Sequence, residues 1–176
     1  SHDDGLIRVA LADTWNPGEE HTVTVSYHGQ PFEALVPPWM DGFVWSKAAD
    51  GSPWVGTTSQ GSGGDLWWPV KDHPSDEPDS MRMHFTVPEP LVAASNGRLE
   101  SVQSDGDGHS TYNWFVSTPI NVYNVALNLA PYRTVEETHT GPNGDSYPVV
   151  FYVLPEDYER AVAFMPEVHD HLTFFE

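Results

Sequence analysis

Hydrophobic residues recur at every second position through much of this chain. In HTVTVSYHG, Val23, Val25 and Tyr27 share one face, and Thr22, Thr24 and Ser26 share the other. In SMRMHFTVP, Met81, Met83, Phe85 and Val87 line up. STYNWFVS does the same with Tyr112, Trp114 and Val116, and NVYNVALNLAPY with Val125, Leu127 and Leu129. Period two is the mark of strands with one buried face. YPVVFYVL is apolar at successive positions, which predicts a strand buried on both faces. Asn96-Gly97, Asp105-Gly106-Asp107-Gly108 and Asn143-Gly144 fall between these runs and accept the positive φ angles of tight hairpins. Residues 81–154 therefore predict an antiparallel meander, and residues 6–30 two further strands joined through NPGEE.

The period changes only at the end of the chain. Tyr158, Ala161, Val162, Met165, Val168, Leu172 and Phe175 recur at three- and four-residue steps, as on one face of a helix. Glu156 and Asp157 suit its N-terminus, and Pro166 predicts a kink or a split. LTFFE carries no stop signal, so the natural polypeptide is expected to continue. Residues 31–68 are rich in Pro, Gly, Trp and small polar residues, and predict long ordered loops packed on the sheet, where recognition commonly sits. There is no internal repeat. The expected fold is all-β, with curved, largely antiparallel sheets in a saddle- or sandwich-like arrangement and a C-terminal helical segment. The division expected is a β-domain over residues 1–154 and a helical linker over 155–176.

Composition narrows the possible functions. A chain of 176 residues is one domain of ordinary size. No run approaches the ~20 apolar residues of a membrane-spanning helix. The first 20 residues lack the basic start and apolar core of a signal peptide. There is no cysteine, which removes disulfides, thiolate nucleophiles and cysteine-held zinc but leaves the compartment open. With 26 acids against 7 bases, the net charge is −19, which repels a phosphate backbone and excludes nucleic acid as a partner. The acids are scattered, as on a solvated acidic surface. The alternative use of such a charge is attraction of a cationic ligand, such as a peptide with a free amino terminus.

Several chemistries can be tested directly. The zinc signature H-E-x-x-H is absent. His169 and His171 are two apart on the predicted helix and face different ways, so they read as surface histidines. Asp105-Gly106-Asp107-Gly108 lacks the third acid and distal Glu of a calcium loop, and reads as a turn. QGSGG has Gln60 where a serine hydrolase elbow has Gly, which argues against Ser62 as a nucleophile. In GGDLWWPVKDHPSDEPDSM, Asp72, Asp76, Glu77 and Asp79 crowd around His73. They suit a paired-carboxylate site, but Pro69, Pro74 and Pro78 fix the backbone so often that a rigid connection is the better reading.

The stretch QGSGGDLWWPVKDHPSDEPDSMRMHFTVPEPLVAASNGRLESV, followed by YNWFVSTPINVYNVALNLAPY, resembles the N-terminal β-domain of the aminopeptidase N-like zinc metallopeptidases. PGEEHTVTVSYHGQP matches the preceding strand of that family, and the resemblance covers roughly residues 6–176. It implies a domain cut at both ends. The zinc-binding H-E-x-x-H with its downstream Glu, the substrate loop of G-x-M-E-N type and the transition-state tyrosine would all lie in a catalytic domain absent from this chain. No cofactor is then expected in this chain, which should be inactive alone; zinc is expected in the missing domain. The implied partners are the rest of the parent peptidase and the substrate's amino terminus. In the family, a Gln or Glu nine residues before the aromatic-Pro position binds the substrate α-amino group. Counting back from Pro69 reaches Gln60. The resemblance then implies backbone contacts from Gly61 and a lining position at Thr58, where the family often has Gln. A carboxamide oxygen can accept hydrogen bonds from an ammonium group. No metal ligand or catalytic residue is assigned in this chain.

Two other functions compete. One is a β-sandwich module binding a protein or carbohydrate through the Trp-rich loop 39–54. Exposure of Trp39, Trp45 and Trp54 on one face would favour it, and burial under the sheet would favour the peptidase reading. The other is a hydrolase using Ser62. If strands are missing, an open sheet edge is expected, and with it edge pairing between copies.

Overall fold

A computed structural model describes all residues except Ser1, Asp4 and Ser62, with the backbone alone for His2 and Asp3. The elements run β1 (His2–Asp3), β2 (Leu6–Ile7), β3 (Gly42–Lys47), β4 (Pro53–Thr58), β5 (Met81–Pro88), β6 (Val92–Ser95), β7 (Arg98–Ser104), β8 (His109–Val116), β9 (Leu127–Ala130), β10 (Arg133–Thr140), β11 (Ser146–Val153) and α1 (Tyr158–Phe175). The strands form a four-stranded sheet in the order β3-β4-β9-β6 and a three-stranded sheet in the order β5-β8-β7. Two hairpins, β10-β11 and the two-residue pair β1-β2, stand apart. All pairings between strands are antiparallel. The fold is mostly β, with open sheets and one C-terminal helix.

Strict alternation along β8 builds the core. Ser110, Tyr112, Trp114 and Val116 point inward while Thr111, Asn113 and Phe115 face out. Met83 and Val87 of β5 join them, and Ala93, Val125 and Leu127 meet them from the region of the larger sheet. Each large side chain removed from water contributes about 1.5–3 kcal/mol. The Trp114 indole N–H donates to the Ala93 carbonyl at 3.0 Å, so the buried polar atom of the core's largest ring is satisfied by a strand of the opposite sheet. The faces predicted for β5, β8 and β9 are those observed.

Other expectations are corrected. Residues 81–154 are not a sequential meander: β6 leaves β5 and β7 to pair with β9. Asn96-Gly97 thus joins two sheets, not the arms of a hairpin. Gly97 sits at φ +82°, and a Cβ there would lie 2.2 Å from the Phe115 carbonyl oxygen. The other two predicted turns do close hairpins, β7-β8 and β10-β11. Residues 8–30 form no regular strand, and Val23, Val25 and Tyr27 are exposed. Alternation supplies a strand with a face but not with a neighbour, and no described strand lies beside this one to complete a ladder. Residues 31–68 are not loop throughout, because they contain the hairpin β3-β4, turned by Asp50-Gly51. YPVVFYVL is not buried on both faces. It forms most of β11, paired only with β10, and Pro148, which has no N–H to give, sits within it as it does on edge strands. Pro166 does not split α1, which runs unbroken through it.

Candidate functional site

Val55 of β4 is buried, and Thr57 Oγ1 accepts the Leu127 amide of β9 at 3.1 Å, which ties the strand into its sheet. The chain then leaves the sheet. Thr58, opposite Gly42, is half-buried, while Gln60 and Gly61 are exposed. The Gln60 amide donates to Asp41 Oδ1 at 2.8 Å, so the backbone carrying this exposed carboxamide is held in place. Gly63 follows at φ +101°, where a Cβ would meet the Asp41 Cβ at 2.7 Å. Only glycine satisfies both the conformation and the contact. A 3-10 turn over Gly64–Leu66 leads to Trp67, which packs edge-on against Phe43 at 5.8 Å and against Trp68 at 6.3 Å. The aromatic pair therefore anchors the loop to β3.

Acids surround this loop. Burial first, then the charge of Asp72 and that of Asp41, hold the Asp65 carboxyl above the usual carboxylate range. Asp41, Asp65 and Asp72 thus form a field of like charge beside Gln60. A carboxamide acceptor in such a field suits a cationic group, an ammonium above all. The structure brings the three sequence-derived positions, Thr58, Gln60 and Gly61, to one place at the end of β4. Ser62 lies outside the described residues.

The acidic stretch after the tryptophans behaves as a connection. The Asp76 amide donates to the His73 carbonyl, Lys71 pairs with Asp76 at 3.1 Å, and the Ser75 hydroxyl lies 2.8 Å from His73 Nδ1. These bonds are local, as expected of a rigid turn. Among the described residues no three His, Asp or Glu side chains converge as ligands for a metal ion. Asp105 serves the β7-β8 turn: its carboxylate accepts from Thr111 Oγ1 at 3.0 Å. The tryptophans of the 39–54 loop are exposed, Trp39 at 77%, Trp45 at 56% and Trp54 at 41%. They do not form one platform. Trp45 lies opposite Val55 and Trp54 opposite Ser46, so the two rings take opposite faces of the hairpin.

Two features escaped sequence reasoning. Asp41, which clasps Gln60, is signalled only by an ordinary Asp-Gly pair before β3. His169 is not a simple surface histidine. It lies 2.9 Å from His139, which is 3% exposed and far away in sequence. No local pattern announces that pairing.

No family model matches the chain, and no curated protein does. Solved structures do. An M1 zinc metallopeptidase from Deinococcus radiodurans superposes with a TM-score of 0.54 at 21% identity, over 72% of this chain and 28% of its own. The fold is similar to part of that metallopeptidase. A two-domain M1 zinc metallopeptidase bound to L-arginine gives a TM-score of 0.55 at 21% identity, over 73% of this chain and 31% of its own. A Deinococcus radiodurans M1 zinc metallopeptidase bound to a Tyr-Ser-Ala substrate gives 0.55 at 20%, over 73% and 30%. This chain spans less than a third of the length of these structures, and at this identity the likeness is one of fold.

Proposed function

We propose that this chain is a non-catalytic domain of a zinc aminopeptidase, forming one wall of the active-site cleft and anchoring the amino terminus of the peptide substrate. The observation that carries the proposal is the likeness of fold to M1 zinc metallopeptidases over nearly three quarters of this chain. Gln60 accepts hydrogen bonds from the substrate ammonium, Gly61 offers backbone contacts beside it, and Thr58 lines the approach. Asp41 fixes the Gln60 backbone, and the acids around Asp65 attract the cation. Zinc, and the groups that hold and use it, belong in this reading to sequence outside this chain. Among the described residues no three ligands converge as a zinc site, and no catalytic step is assigned to them.

Binding to the chain itself tests the anchor. A short peptide with a free amino terminus should shift the amide NMR signals of Thr58, Gln60 and Gly61, and its N-acetylated form should not. Gln60→Ala should weaken binding about tenfold, the worth of a hydrogen bond to a charged group. Equal shifts with the acetylated peptide would overturn the role of Gln60. Turnover of aminoacyl substrates, abolished by a chelator and restored by zinc, would overturn the non-catalytic reading.

The exposure of Trp39 favours a second reading, a protein- or carbohydrate-binding module working through the loop 39–54. Quenching of tryptophan fluorescence by an oligosaccharide, lost in Trp39→Ala, would support it. The open sheets also support self-association of two copies through a strand edge. A monodisperse monomer in analytical ultracentrifugation would remove that expectation.

A further inference from the structure

His139 on β10 and His169 on α1 approach each other through their Nδ1 atoms at 2.9 Å. Their ring centres are 5.1 Å apart and their planes differ by 15°. The ring centres exceed the nitrogens in separation by the reach from centre to nitrogen on both sides. The rings therefore meet end to end, in line. Such a contact holds one proton. Two bare lone pairs would repel, and two N–H groups would collide.

The outer nitrogens complete the proton count. His169 Nε2 lies 2.9 Å from Glu137 Oε2, and His139 Nε2 lies 3.4 Å from Glu176 Oε2. A carboxylate only accepts, so His169 Nε2 carries its proton, while His139 Nε2 is buried without a hydrogen-bond partner. One proton between the rings and one on His169 Nε2 satisfy the contact with both rings neutral; a third, on His139 Nε2, is compatible with it, and a fourth, a second proton between the rings, is not. The charged and titratable groups facing the pair are Glu137 from β10, Glu176 just after α1 and Tyr147 from β11, whose ring centre is 5.4 Å from that of His139. The Tyr147 hydroxyl donates to Glu176, and that bond holds its phenol above the usual range. A metal ion does not fit between the rings. Ligand bonds of about 2.0–2.1 Å to both nitrogens would push them further apart, with lone pairs converging at an angle.

We propose that His139 and His169 form an acid-sensitive latch, in which one proton shared between the rings docks α1 on the β10-β11 hairpin and the gain of a second between them releases the helix. The latch joins elements that also meet through the Tyr147 hydroxyl on Glu176 and through the Arg133 guanidinium over the Tyr158 ring at 3.4 Å.

The test is a pH series on the 176-residue chain with 15N-labelled histidine. The ring spectra should show one proton held between the Nδ1 atoms of His139 and His169. Amide protection of α1 in hydrogen exchange should be full in that state and fall about tenfold as acid protonates both rings, the worth of a hydrogen bond to a charged group. His169→Gln should flatten the profile, and His171→Gln, changed at the exposed histidine nearby, should leave it as in the parent chain. Two rings that titrate independently would overturn the latch, as would identical profiles for the parent and His169→Gln. Stoichiometric zinc binding that needs both histidines would overturn it in favour of a metal site. The ring spectra of the parent chain decide the matter even if His169→Gln does not fold.

Discussion

Asp65 shows how a single residue carries the electrostatic character of the candidate site. Its carboxyl is raised by burial and by Asp72 and Asp41, so the folded state holds its proton more tightly than the unfolded chain does. The stability this contributes is complete below the usual carboxylate range and is lost as pH rises through the raised value. At neutral pH the ionised Asp65 therefore works against folding. Asp65→Asn should raise the melting temperature at pH 7, and the gain should shrink on acidification. A gain of the same size at pH 3 and pH 7 would show that charge is not the cause. Gln60 was proposed from the sequence by resemblance, through its distance from Pro69. The Asp41 side chain that holds its backbone was not, because that bond spans 19 positions and joins loops on either side of the β3-β4 hairpin.

At the scale of elements, α1 carries an internal contradiction. Pro166 has no N–H for the Val162 carbonyl, and its ring crowds that turn, yet the helix runs from Tyr158 to Phe175 without a break. Burial of Met165 beside it and the docking of His169 on β10 hold the helix together. Pro166→Ala should thus stabilise the chain, by up to about 3 kcal/mol, the penalty of an interior proline. Denaturant unfolding measures it, and a loss of stability would mean that the helix bends at Pro166 to fit the hairpin. The charges expected at its N-terminus are present but engaged elsewhere. Asp157 pairs with Arg160 at 2.8 Å, and Glu156 accepts the Ala49 amide of the β3-β4 turn at 3.0 Å.

Across the whole molecule, a net charge of −19 sets a self-repulsion that every carboxylate shares. Raising salt from 0.1 to 1 M shortens the screening length from about 10 to about 3 Å. The melting temperature should rise with it, by about 2–4 °C for each kcal/mol relieved in a chain of this size. A melting temperature indifferent to sodium chloride would show the acids to be too widely spaced to matter. The exposed apolar residues run against this polar surface. Leu6, Val9, Leu11, Val23, Val25 and Tyr27 are each at least 40% exposed along a segment whose pattern predicts strands.

The sequence by itself determined the faces. Period two placed Met83, Val87, Tyr112, Trp114 and Leu127 inward, period 3.6 placed the helix, and Asp-Gly and Asn-Gly placed two of the hairpins. These signals are local, because a side chain's direction follows from its neighbours' backbone angles. Tertiary structure alone decided which strands became neighbours. It sent β6 to β9, left β11 on an edge, gave residues 22–27 no partner, and joined His139 to His169. Pairing depends on which buried surfaces fit across long separations in the chain, and periodicity does not carry that information.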